Sequence, residues 1–148
     1  MQILDGKKIS EERCEKLRQR VDLLGSNMGR NPRLDIILVG NDFASEKYVS
    51  MKGKKAQELE IDVQVHRFGK DSDDEEIVNT IENLNNDNNV DGIMVQLPLP
   101  SNFSEDLLVS KISVEKDVDG LTAESLGRLF RNEKCLVSAT SKGIGTLI

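Results

Sequence analysis

Three short runs of this chain hold residue types that can do chemistry. The first is Asn41-Asp42-Phe43-Ala44-Ser45-Glu46-Lys47-Tyr48-Val49-Ser50-Met51-Lys52. On a helix, Ser45, Tyr48 and Lys52 stand at i, i+3 and i+7, along one face, with phenol and ammonium one turn apart. A lysine partly desolvated there gives up its proton more readily, and a neighbouring phenol can hold it in one orientation. Such a lysine can donate a proton, accept one or stabilise charge. An amphipathic helix with an ordinary surface lysine shows the same pattern. The second run is Asp91-Gly92-Ile93-Met94-Val95-Gln96-Leu97-Pro98-Leu99-Pro100. Gln96 ends an otherwise apolar strand, where an unpaired amide costs about 1–3 kcal/mol, so it needs a structural or catalytic partner. The Pro98-Leu99-Pro100 turn has few conformations and makes a rigid wall. The third run is Glu115-Lys116-Asp117-Val118-Asp119-Gly120. Acidic residues before a glycine suit a tight turn. They also suit a carboxylate aimed at the paired N–H donors of a planar heterocycle, as at a guanidinium.

The elements that position these runs follow from periodicity. A first helix is expected to start near Ser10, to place Cys14, Leu17, Val21 and Leu24 on one face, and to stop at Gly25. A polar loop over 26–32 leads to a buried strand from Leu34 to Val39. Asp42 caps a second helix running to about Leu59. Ile61 to Phe68 alternates as a strand. Ser72 with Glu75 forms a capping box for a third helix with Ile77, Ile81 and Leu84 as its buried stripe. Asn85 to Asn89 reads as a solvated break before a strand over Val90 to Leu97. Helices are expected around 103–111 and 122–131, the latter capped by Thr122 and carrying Leu126, Leu129 and Phe130. Strands alternating with helices imply an α/β fold, a three-layer αβα domain with a mainly parallel sheet covered on both faces. Ligands bind such sheets at the carboxyl ends of the strands, here just after Val39, Phe68 and Leu97. Two of those three places fall in the runs above.

Composition narrows the function further. The 148 residues suffice for a single domain over 1–148, and the core must come from Ile, Leu and Val because Trp is absent. A net charge of −6 with no basic stripe argues against nucleic acid. Cys14 and Cys135 have no metal or redox spacing and read as reduced thiols. His66 is the only histidine, which disfavours a zinc site or a Ser-His-Asp triad. The N-terminus has no apolar stretch for a signal or membrane span, so a cytoplasmic protein is expected.

Taken in order, these runs resemble the signatures of the methylenetetrahydrofolate dehydrogenase/methenyltetrahydrofolate cyclohydrolase family. Val39 to Lys54 is similar to its first signature, Gly92 to Pro100 to its second, Lys116 to Gly120 to its third, and Ile3-Leu4-Asp5-Gly6-Lys7 to its start. The resemblance implies the N-terminal, folate-binding domain of the aminoacid-dehydrogenase-like type. It implies Lys52 as the central catalytic group, Tyr48 packing along the substrate, and Gln96 tuning the charge state of Lys52. It implies Asp119 as anchor of the pterin ring, with Leu97, Pro98 and Pro100 as pocket walls and Ser45 as a further substrate contact. The implied chemistry belongs to one-carbon metabolism and purine biosynthesis: oxidation of 5,10-methylenetetrahydrofolate, then hydrolysis of the methenyl product to 10-formyltetrahydrofolate. NADP is the implied cofactor and a homodimer the implied assembly.

Two departures accompany this resemblance. The family carries Pro-Cys-Thr-Pro-x-Gly where this chain has Ser138-Ala139-Thr140-Ser141-Lys142-Gly143, so both prolines and the cysteine are replaced in what is expected to be a loop. The family also continues into a C-terminal Rossmann domain, absent from this chain, that binds NADP. Gly143-Ile144-Gly145 would need a third glycine at Ile148 to complete a dinucleotide fingerprint, so no cofactor-binding residue is assigned here. A fragment of a longer enzyme is therefore the expectation, ahead of a stand-alone domain. Two other readings remain at this level. A folate-binding or interaction module without turnover fits the altered Ser138–Gly143 stretch. The Tyr48-x-x-x-Lys52 spacing also matches short-chain dehydrogenases, though no glycine-rich nucleotide loop precedes Tyr48.

Overall fold

The computed structural model describes residues 4–147. Ile3 of the opening run and Ile148 at the fingerprint position lie outside the described residues. Strands β1 (Arg33–Val39), β2 (Asp62–Phe68) and β3 (Gly92–Val95) form a parallel sheet in the order β2-β1-β3. Leu34 pairs with Val63 on one side and Gly92 on the other, and that register continues to Val39 against Phe68. The central strand is apolar on both faces because helices cover both. Ile37 and Val39, with Ile93 and Val95, pack under α3 (Asp74–Asn86) and α4 (Glu105–Ser110) through Ile77, Ile81, Leu84 and Leu108. Ile36, Leu38 and Met94 face the other way, against Val49 of α2 (Phe43–Glu58). This is the three-layer αβα arrangement expected from the alternation of strands and helices.

Several boundaries differ from expectation for local reasons. Helix α1 spans Gly6–Met28, starting before Ser10, because the Asp5 side chain accepts from the Lys8 N–H (3.0 Å) and caps it. It also runs through Gly25, at a cost of about 1 kcal/mol relative to alanine. It ends at Gly29, whose φ of 70° lets its N–H return to the Gly25 carbonyl. Of the expected stripe only Val21 is buried, and neither core cluster includes a residue of α1. Ser72 does not cap α3: Asp73 does, accepting from the Glu75 N–H (3.1 Å), while the Ser72 hydroxyl accepts from the Gly69 N–H. A carboxylate at the positive end of the helix has the stronger interaction.

Asn85 is no solvated loop residue. It lies within α3, donates to the Lys111 carbonyl (2.7 Å) and accepts from the Ser113 N–H (2.9 Å), tying down the chain after α4. Strand β3 stops at Val95, before the Pro98 that cannot donate to a ladder. In α5 (Ala123–Phe130), Leu126, Leu129 and Phe130 are exposed, Phe130 at 93%, so that apolar stripe does not enter the core. The expected loop at Ser138–Gly143 is helical from Ala139, in α6 (Ala139–Leu147). Without the family's two prolines, every residue there keeps an N–H for helical bonding.

The layering assigns stability to the α3 face of the sheet. Ile81 is fully buried there and Leu126 is not. Ile81→Ala should cost about 2–5 kcal/mol in urea unfolding, whereas Leu126→Ala should stay within about 0.5 kcal/mol.

Candidate active site

Strand β1 gives way to a turn at Gly40, whose φ is 79°. A Cβ on Gly40 would stand 3.1 Å from Pro100 Cγ, so the glycine admits the proline and brings the chain ends beyond β1 and β3 together. Helix α2 starts at once, because Asp42 accepts from the Ser45 N–H (2.8 Å). The chain leaves β1 toward β2 on one side and reaches β3 on the other, and such a reversal of order opens a crevice at the strand ends.

Lys52, reaching from α2 to this crevice, meets β3 there. Its Nζ donates to Gln96 Oε1 (3.0 Å) and approaches Met94 Sδ (3.6 Å). Met94 and Gln96 are two residues apart in extended chain and so face the same way. Gln96 Nε2 donates to the Leu97 carbonyl (2.6 Å), which occupies its NH2 group and leaves its oxygen for the ammonium. The buried amide therefore has the partner its position demanded.

Asp119 sits half-buried in the turn after Lys116. Burial raises its pKa, with the nearby Asp117 adding to the rise, while Lys52 acts in the opposite sense. Burial likewise lowers the pKa of Lys52, and Asp119 partly restores it. The two groups feel each other's charge yet form no direct ion pair among the described residues.

The structure thus gathers Lys52, Gln96 and Asp119. Leu97 and Pro100 are half-buried, but Pro98 is exposed, at the outer edge of its turn. Tyr48 is 59% exposed and makes no hydrogen bond to Lys52 among the described residues, so the phenol does not hold the amine. Ser45, placed on the same helical face by spacing, is only 2% exposed, and its hydroxyl has no hydrogen-bond partner. Sequence reasoning passed over Met94, although its parity with Gln96 was visible. It also passed over Asp35, hidden in an apolar run: Asp35 is buried, takes two bonds from Arg33, and hydrogen-bonds His66 Nε2 (2.6 Å). The lone histidine is thereby committed to a strand-to-strand tie.

An amine of reduced basicity beside a carboxylate, at the carboxyl ends of the strands, can bind a planar N–H edge and move a proton. A family model described as the catalytic domain of tetrahydrofolate dehydrogenase/cyclohydrolase matches residues 4–119. The chain belongs to the tetrahydrofolate dehydrogenase/cyclohydrolase family. Among curated members, it is 44% identical over 147 residues to the bifunctional protein FolD of Wolbachia sp. subsp. Brugia malayi, covering 99% of this chain and 50% of that protein. Among solved members, the bifunctional FolD dehydrogenase/cyclohydrolase of Campylobacter jejuni superposes with a TM-score of 0.96 at 35% identity, over 99% of this chain and 52% of that one. The Trypanosoma brucei enzyme, solved with NADP cofactor and inhibitor, gives 0.90 at 29% identity, over 97% of this chain and 49% of that one. The chain spans about half the length of the curated relatives it matches. Membership in this family sets aside the short-chain dehydrogenase reading.

Desolvation of Lys52 has a measurable sign. In 13C spectra its Cε should titrate below the exposed lysines of the same chain, and Asp119→Asn should lower that midpoint further by removing the charge that favours the ammonium. The unfolded chain then binds the Lys52 proton more tightly, so stability should rise with pH just below the ordinary lysine value of about 10.4. A midpoint equal to that of an exposed lysine would count against a desolvated amine.

Proposed function

We propose that this chain supplies the folate site and the proton-handling lysine of a methylenetetrahydrofolate dehydrogenase/methenyltetrahydrofolate cyclohydrolase. The reactions are oxidation of 5,10-methylenetetrahydrofolate to the methenyl cation and hydrolysis of that cation to 10-formyltetrahydrofolate. The observation that carries the reading is the Lys52–Gln96 bond, with the Asp119 carboxylate close enough for its charge to act on the lysine. Asp119 receives the N–H edge of the pterin, as a carboxylate receives a guanidinium. Leu97, Pro98 and Pro100 wall the ring and Tyr48 lies along it from the exposed side, whereas the buried Ser45 hydroxyl does not reach it.

In the hydrolytic step, water adds to the methenyl carbon between N5 and N10 and releases a proton, which the neutral Lys52 amine takes up. That proton then passes to N5 as the carbon–N5 bond breaks, and the proton left on the added hydroxyl is released to water as its oxygen becomes the formyl carbonyl on N10, so one proton leaves overall. Lys52 ends as it began. Gln96 holds the amine over the reacting carbon through both protonation states, because its oxygen accepts from either form.

The dehydrogenase step needs NADP as hydride acceptor, and the Trypanosoma brucei relative was solved with that cofactor. Gly143 and Gly145 lie inside α6, where a phosphate cradle requires a strand, a turn and a helix start. The described residues therefore do not fit a dinucleotide, and NADP binding is assigned to the part of the relatives' length that this chain does not span. A cytoplasmic homodimer completes the proposal; among the described residues no helix is long and apolar enough to cross a membrane.

The test follows the near-ultraviolet absorbance of methenyltetrahydrofolate. The chain should accelerate its loss above the buffer rate, and Lys52→Met should reduce that acceleration by about 10²-fold or more. Binding without acceleration, in parent and variant alike, would identify a non-catalytic folate module. Absence of both would remove the folate assignment.

A further inference from the structure

Asp117 precedes Asp119 by two residues and is 1% exposed. Its burial follows from the sheet: the Ile93 N–H donates to the Lys116 carbonyl (2.8 Å), and Ile93 pairs with Asp117 in a parallel bridge beside β3. A carboxylate out of water is costly unless its oxygens are satisfied. Here both are. Oδ1 accepts from the Leu121 N–H (3.2 Å), and Oδ2 from the Thr122 N–H (2.9 Å) and the Ser125 hydroxyl (2.7 Å). Among the described residues it has no cationic partner. These hydrogen bonds outweigh burial, which alone would raise its pKa, and hold Asp117 below the ordinary aspartate value.

The same bonds close the backbone into a ring over 117–122. The Gly120 N–H returns to the Asp117 carbonyl (3.2 Å). Gly120 has a φ of 65°, and a Cβ there would stand 2.6 Å from the Leu136 carbonyl oxygen, so the turn is also pinned from outside. Val118 and Asp119 ride on this ring and have little freedom apart from it.

We propose that Asp117 is a positioning residue for Asp119: its carboxylate clamps the turn that carries Asp119 into the crevice and sets a second negative charge beside it. The substrate readout of this proposal rests on the folate reading above. A loosened clamp weakens a contact made in ground and transition states alike, so KM rises more than kcat falls. Loss of the second charge makes Asp119 easier to ionise, since the remaining charged neighbour that faces it is Lys52.

Two variants separate the clamp from the charge. Asp117→Asn removes the charge and part of the clamp, whereas Ser125→Ala removes one bond and leaves the charge. The carboxyl carbon of Asp119 is titrated by 13C NMR in the chain without folate, and KM and kcat are measured with methenyltetrahydrofolate. In Asp117→Asn the Asp119 midpoint should move to lower pH and KM should rise about tenfold, with a smaller change in kcat. In Ser125→Ala KM should rise less and the midpoint should move less. A folded Asp117→Asn with midpoint and KM both unchanged overturns the proposal. Should Asp117→Asn fail to fold, an unchanged KM in Ser125→Ala overturns it instead. The titration needs no folate, so a parent chain that does not bind folate contradicts the folate reading, and the Asp119 midpoint alone then decides the role of Asp117.

Discussion

A lysine ammonium held partly out of water beside a neutral amide is the contact around which the rest of this structure is arranged. Lys52 comes from the middle of α2 and Gln96 from the chain just past β3, 44 residues later, and they meet at 3.0 Å. Desolvation works against the charged lysine, and Asp119 offsets only part of it. Such a contact persists only if the helix and the strand end are fixed by something else. The sheet does this: β1 sits between its neighbours in register, and the two apolar faces of β1 and β3 fasten α2 on one side and α3 with α4 on the other. Gly40 then lets Pro100 close in, so the chain beyond β3 packs against the end of β1.

Around that contact the two aspartates of one short turn are driven in opposite directions. Asp117 is the more buried, yet three donors bond its carboxylate and it stays acidic. Asp119 lacks those donors, and burial together with its neighbour pushes its pKa up. Two carboxylates with separated environments can hold separate tasks, one structural and one directed at a ligand. Lys52 shows the corresponding shift for a base. Burial thus pulls the Lys52 amine and the Asp119 carboxylate toward each other in basicity.

The parts of the fold with one dominant cause were legible in the residues. The β-branched run of β1, the Asp42 cap, and the stripe of Ile77, Ile81 and Leu84 each follow a single rule and stand where that rule puts them. Where two causes competed, local signals misled. Ser10 and Ser72 looked like caps, but carboxylates at Asp5 and Asp73 were available nearby and interact more strongly with a helix start. Gly25 looked like a stop, but only Gly29 takes the left-handed conformation that ends the helix. Asn85 looked solvated because its two partners, Lys111 and Ser113, lie far along the chain. The site was legible as three runs; that Lys52 rests on Met94 and Gln96 while Tyr48 stands apart needed coordinates.

The central claim is that amine, amide and carboxylate face one ligand. A crystal structure of the chain soaked with 5-formyltetrahydrofolate, a stable folate that the cyclohydrolase step does not consume, tests this directly. The account predicts the pterin edge on the Asp119 carboxylate and the one-carbon group within reach of Lys52 Nζ, with Gln96 still bonded to the amine. A folate seated elsewhere, or one that left Lys52 and Asp119 facing only solvent, would contradict it.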